Sequence, residues 1–191
     1  PIAVPKTLEK IVFEQFDLKE LVPYIDWSPF FTTWELAGKY PQILEDEIIG
    51  EEAKKLFIDA KEMLNKIVQE KWLTAKACVQ IFKANSENET VTVFDSNSDK
   101  PLANLNFVRQ QHEKSGDKPN FSLADYIAPK SENMTDYIGA FVVSAGFGTA
   151  ERAKEFEAEH DDYQSIMIKA LADRLAEAFA ERMHEKTRKE F

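Results

Sequence analysis

His160-Asp161-Asp162-Tyr163-Gln164-Ser165-Ile166-Met167-Ile168-Lys169-Ala170-Leu171-Ala172-Asp173-Arg174-Leu175-Ala176-Glu177-Ala178-Phe179-Ala180-Glu181 reads as one long helix, about eight turns if it runs on to Arg188. Ala, Leu, Glu, Lys, Arg and Met, all good helix formers, fill it. Asp161 or Asp162 suits the N-cap, where a carboxylate accepts the first free backbone N–H groups. Lys186, Arg188 and Lys189 sit at the other end, where positive charge complements the helix dipole. At about 100° per residue, Tyr163, Met167, Ala170, Leu171, Leu175 and Ala178 form one apolar stripe. Arg174 falls within that stripe, and Asp173 and Glu177 line one edge of it. Two readings stay open: an Arg174–Glu177 ion pair at i,i+3 on a core helix, or a cleft in which Asp173, Arg174 and Glu177 meet a ligand or partner.

Working back along the chain, Glu51 to Glu70 repeats the helical period through Ala53, Leu56, Phe57, Ala60, Leu64 and Ile67, with a solvated charged face. Between the two helices the period falls to two. Ala77–Ala84 and the alternating Thr90–Asp95 read as a hairpin around a turn at Ser86–Glu89, and Leu102–Val108 as a third strand. Ser122–Ile127 is a short turn or helix. Tyr137–Ala145 is the most apolar strand and is expected at the centre of the sheet. Ala150–Glu159 starts a helix expected to bend at His160 into the long one. Helices, then strands, then helices predict an α+β fold, a mostly antiparallel twisted sheet flanked by helices with a long C-terminal helix. Residues 1–23, with Pro1, Pro5 and Pro23, read as a linker or extended arm with a helical turn near Leu18–Val22. Residues 24–191 read as the domain.

The composition sets bounds on function. The 191 residues are 43% hydrophobic and 30% charged, with a net charge of −10, an ordinary globular balance. A strongly acidic chain is unsuited to sequence-independent nucleic-acid binding. No apolar run approaches the roughly 20 residues that span a bilayer, so no membrane partner is expected. The single Cys78 excludes an internal disulfide, suits a reducing cytoplasm and reads as a buried, inert thiol. His112, His160 and His184 lack metal-ligand spacing. Gly146-Phe147-Gly148 lacks the third glycine of a dinucleotide fingerprint and reads as a turn. No self-sufficient catalytic constellation is present, which disfavours a stand-alone enzyme.

The other conspicuous stretch is Tyr24-Ile25-Asp26-Trp27-Ser28-Pro29-Phe30-Phe31-Thr32-Thr33-Trp34, closed by Leu36-Ala37-Gly38-Lys39-Tyr40-Pro41. It holds one carboxylate among aromatics. Asp26 either caps the turn or helix entering at Trp27 or grips a cationic or hydroxylated ligand from an aromatic pocket.

These segments, with Leu123-Ala124-Asp125-Tyr126-Ile127-Ala128-Pro129-Lys130, Asp136-Tyr137-Ile138-Gly139-Ala140-Phe141 and the long helix itself, closely resemble the reactivation domain of cobalamin-dependent methionine synthase. The resemblance runs from about Tyr24 onward. It implies a C-shaped single-domain α+β module that binds S-adenosylmethionine. Its role is to remethylate cobalamin whose cobalt has been oxidised during turnover, with flavodoxin or another reductase supplying the electron and the cobalamin-binding domain of the same parent chain as partner. The family's main reaction converts homocysteine and methyltetrahydrofolate to methionine and tetrahydrofolate. By position, the resemblance makes Asp26 and Glu177 acidic contacts of S-adenosylmethionine. Asp173 becomes a residue facing the cobalamin module, whose companion carboxylate falls near Thr149, with Glu151 close by. The family continues past the long helix into an Arg-Pro-x-x-Gly-Tyr-Pro segment that grips the ligand, and these 191 residues stop short of it. Weak binding by these residues alone is therefore expected. The competing expectation is a non-catalytic domain that docks on a cobalamin-binding module.

Overall fold

In the computed structural model, which describes residues 2–191, five strands and four α-helices follow in the order β1 (Ile11–Phe16), α1 (Ser28–Thr33), α2 (Gly50–Gln69), β2 (Thr74–Glu87), β3 (Thr90–Phe94), β4 (Pro101–Asn106), β5 (Asp136–Phe147), α3 (Thr149–Ala158) and α4 (Asp162–Glu190). Short 3-10 turns at Leu18–Glu20, Val22–Tyr24 and Leu123–Tyr126 complete the expected α+β pattern. Pro1 of the expected arm lies outside the described residues. The rest of that arm is more than a linker, because Ile11–Phe16 forms a strand. Its six residues are too few for two-residue alternation to stand out in the sequence.

The sheet runs β1-β2-β3-β4, and β5 also pairs with β2. β2 and β3 are antiparallel, with Ala84 opposite Val93 and Glu87 opposite Thr90. The strand therefore outlasts the predicted turn, and only Asn88 and Glu89 remain to make it. Asn88 takes a left-handed φ of 54°, the conformation a two-residue hairpin turn demands. β3 and β4 are also antiparallel, Thr90 opposite Asn106, and Thr–Asn side-chain hydrogen bonds at 2.9 and 3.0 Å cross between them.

The central position expected for Tyr137–Ala145 is overturned. β5 is not the central strand: it pairs with β2 alone, whereas β2 pairs with three neighbours. Gly139 and Ala140 are exposed, and Val142 is 74% exposed. Small apolar side chains raise a strand's mean hydropathy without requiring two covered faces. Likewise Cys78 is half-buried rather than buried. It lies on the face of β2 opposite Ala75, Ala77, Val79 and Ile81, which take the buried positions.

Packing divides the chain into two compact units. A helical unit comprises Val12–Cys78 and Val142–Lys186; a strand unit comprises Val79–Phe141 with residues 2–11 and Thr187–Phe191. In β2 the buried parity changes from odd residues up to Ile81 to Ala84 and Ser86. In the helical unit, Ala53, Leu56, Ala60, Leu64 and Ile67 bury the predicted face of α2, joined by Met63. Met167, Ala170, Leu171, Leu175 and Ala178 bury the predicted stripe of α4, joined by Ile168, Phe179 and Met183. Tyr163, placed in that stripe by periodicity, remains 38% exposed.

α3 and α4 are separate helices, not one bent one. His160 adopts φ 59°, and the chain restarts with Asp161 Oδ1 accepting from Gln164 N at 3.0 Å. That is the expected capping carboxylate.

In the strand unit, Ala84, Val91 and Ala124 form a buried cluster covered by Phe107, Ile127 and Ile138. Arg109 clamps the loop above it. Its guanidinium donates twice to Asp125 (2.7 and 2.8 Å), to Glu89 Oε1 (2.7 Å) and to the Asn120 carbonyl (2.7 Å). Asp125 closes a capping box with Ser122. The Arg109 guanidinium, aided by the Ser122 N–H, lowers the Asp125 carboxyl to about 2 from an ordinary 3.8. A depressed folded-state pKa means that the stabilisation is fully present above the unfolded value. It is lost as pH falls through about 3.8 towards 2. A carboxyl NMR titration of Asp125 is expected to show its midpoint near 2, and Arg109→Met to move it up towards 3.8. A midpoint unchanged by that substitution would refute the clamp.

Candidate functional site

The segment bearing Asp26 is fixed from both sides. Leu21, Ile25, Phe30 and Phe31 are buried. Trp27 stands edge-on to Phe30 at 5.5 Å and to Phe57 of α2 at 4.9 Å, and Tyr40 lies 5.2 Å from Phe57. The aromatic residues thus pack on one another and do not enclose the carboxylate. Asp26 is exposed, and its Oδ1 accepts from Ser28 N at 2.9 Å. This bond closes a short turn just before α1, whose N-cap residue is Trp27. Oδ2 makes no hydrogen bond among the described residues and remains an available acceptor.

On α4, Arg174 donates from Nη2 to Asp173 Oδ2 (2.6 Å) and from Nη1 to Glu177 Oε2 (2.5 Å). The Arg174 side chain is 12% exposed, those of Asp173 and Glu177 71% and 61%. The arginine stem lies against the helix while its head reaches the surface and holds two carboxylates in fixed positions. The i,i+3 ion pair expected from the sequence is formed. It does not consume the acids, since each keeps one oxygen unbonded among the described residues. The group carries a net charge of about −1 and is open to a cation. Of the residues expected near Asp173 in function, Thr149 begins α3 with its hydroxyl buried and without a hydrogen-bond partner among the described residues, and Glu151 is exposed in the first turn.

Sequence reasoning missed what ties these two segments together. The Tyr24 hydroxyl donates to Glu185 of α4. Arg182, one turn earlier, donates to Glu20 Oε2 at 3.0 Å and lies 6.0 Å from the Tyr24 ring centroid. Asp26 stands two residues beyond Tyr24. Glu177 stands eight residues before Glu185, about 12 Å along the helix at 1.5 Å per residue. No local signal marks a hydrogen bond between residues 161 positions apart. The one hint was that Tyr24 heads the aromatic segment.

The family model described as vitamin B12 dependent methionine synthase, activation domain, matches residues 17–191. The chain belongs to this family. The crystal structure of the MetH reactivation domain bound to AdoHcy is similar to this activation domain at 47% sequence identity and a TM-score of 0.90. The match covers 100% of this chain and 58% of that one. The chain thus spans a little over half the length of the solved relative. The three acids cited for the activation domain fall on two segments of one unit: Asp26 on the aromatic segment, Asp173 and Glu177 on α4.

Proposed function

We propose that this activation domain binds S-adenosylmethionine and presents it to a cobalamin held by another domain of a methionine synthase. Asp26 and Glu177 receive the cationic groups of the ligand, and Asp173 faces the cobalamin-binding domain. The observation that supports this most is the whole-length likeness, at 47% identity, to a reactivation domain bound to AdoHcy. The residues fit such a ligand. S-adenosylmethionine carries an ammonium and a sulfonium, and exposed carboxylates with an unbonded oxygen accept the first and attract both. Bound S-adenosylmethionine supplies an electrophilic methyl group, and its loss leaves the neutral thioether AdoHcy. Carboxylates that favour the sulfonium lose part of their hold on that product, which aids exchange. The electron for reactivation comes from flavodoxin or another reductase, in the cytoplasm. Among the described residues, no helix is long and apolar enough to cross a membrane.

Calorimetric titration of S-adenosylmethionine tests this, using these 191 residues and a chain extended through an Arg-Pro-x-x-Gly-Tyr-Pro segment. The extended chain is expected to bind more tightly. Asp26→Asn and Glu177→Gln are each expected to weaken it roughly tenfold, the scale of a charge-assisted hydrogen bond, whereas Asp173→Asn leaves affinity unchanged. Equal affinity in the wild type and both ligand-contact variants would reject the assignment. No binding by either length would favour a docking domain without a ligand site.

A further inference from the structure

One face of α2 borders a groove that the activation function does not use. Glu51, Glu52, Lys55 and Asp59 line a cleft of 570 Å³ whose other wall includes Trp34 and Tyr163. A second cleft, of 290 Å³, continues along Asp59, Glu62 and Lys66 to Trp72. Asp59 borders both. The Tyr163 hydroxyl donates to Asp59 Oδ2 at 2.7 Å, and the Tyr163 ring lies 5.0 Å from that of Trp34. Burial and the neighbouring Asp59 carboxylate raise the Tyr163 phenol above its ordinary range, so it stays a donor and adds no charge.

Three features describe an occupant. The first is charge: Glu51 is paired with the neighbouring Lys54 at 2.7 Å, which leaves Glu52, Asp59 and Glu62 of α2, with Asp161, facing Lys55 and Lys66 along the groove. The second is chemistry. Trp34 and Tyr163 offer aromatic faces that attract guanidinium and ammonium groups. Ile48, also lining the cleft, is 92% exposed and offers an apolar contact at one end. The third is length. Glu51 to Lys66 spans about 22 Å at 1.5 Å per residue, equal to roughly six or seven residues of extended chain.

We propose that this groove docks an extended basic segment of a protein partner, with Arg or Lys side chains over Asp59 and Glu52 and an apolar side chain against Ile48. The length exceeds what a single small cation covers, and a polyamine has no apolar side chain to cover Ile48. The proposal does not depend on S-adenosylmethionine binding.

The probe is a capped heptapeptide of alternating Arg and Ala, followed by NMR of the indole N–H groups. Trp34 and Trp72 line the groove, and Trp27 serves as internal control and as a check on folding. The expected result is that Trp34 and Trp72 shift while Trp27 does not. Asp59→Asn combined with Glu52→Gln should weaken the peptide about tenfold or more, and Glu113→Gln combined with Glu132→Gln, both exposed in the strand unit, less than about twofold. Spermine should bind at least about tenfold more weakly than the peptide. Similar shifts at all three indoles, or equal weakening by both double variants, would reduce the binding to general attraction by an acidic protein and overturn the proposal. Spermine binding as tightly as the peptide would overturn it in favour of a small-cation site.

Discussion

Phe179→Ala is expected to destabilise the helical unit by about 3–5 kcal/mol, the range for truncating a fully buried aromatic side chain. Phe179 has no exposed surface, and its ring centroid lies 4.7 Å from that of Phe16 at the end of β1. The alanine variant removes the ring and leaves a cavity at the contact between α4 and β1, which neighbouring side chains refill only in part. The effect reaches the site because Phe179 is two residues beyond Glu177 on the same helix, so the packing of its ring helps set the rotation that presents Asp173 and Glu177 to the surface. Urea unfolding followed by far-UV circular dichroism measures the loss. A change below about 1 kcal/mol would mean that the helix is held elsewhere. Phe179→Leu, which refills most of the volume, should recover more than half of the lost stability.

Gly148→Ala is expected to cost about 2–4 kcal/mol, by a different mechanism. Gly148 joins β5 to α3 with φ 99°, a conformation that L side chains adopt only under strain. A methyl group there would stand 2.5 Å from the carbonyl oxygen of Trp72. The methyl is fixed to the main chain and the atom it meets is a backbone carbonyl oxygen, so relief requires moving the turn between α2 and β2 or the start of α3. Gly116 separates the two contributions. It also has positive φ, 75°, but nothing lies within 4 Å of an added methyl. Gly116→Ala should therefore lose only the conformational part, about 1 kcal/mol. Equal losses at the two glycines would show that the close approach to Trp72 is not the cause. The sequence had marked Gly146-Phe147-Gly148 as a turn; the carbonyl that makes the second glycine necessary lies 76 residues earlier.

Legibility followed the range of the interactions. α2 and α4 were readable because each repeats its apolar positions over many turns, and the buried residues are largely those the period selects. The hairpin of β2 and β3 was readable from alternation. β1 was not, because six residues in a proline-bearing arm carry too little pattern. The pairing of β5 was mistaken for a consequence of its apolar composition. At the site, the Arg174–Glu177 pair was readable because i,i+3 neighbours meet on any helix. Asp26 drew notice as a lone carboxylate among aromatics, but only the structure shows that it accepts from the Ser28 N–H while the aromatic rings pack on one another. The pairing of Tyr163 with Asp59, 104 residues earlier, had no local signature at all.

By itself the sequence determined what neighbouring residues decide among themselves: helix faces, a capping carboxylate at Asp161 or Asp162, the pairing of β2 and β3 in a hairpin, the Arg174 ion pair and, through ordered resemblance, the family. Those features rest on backbone propensity and on contacts within a few residues, which any copy of the stretch would form. The tertiary structure alone decided the strand order, the division into two packed units, and the ties from Tyr24 to Glu185 and from Arg182 to Glu20 that join the Asp26 segment to the helix of Asp173 and Glu177. Such contacts form only when the burial of many apolar side chains offsets the entropy of bringing distant chain together, so no local pattern encodes them.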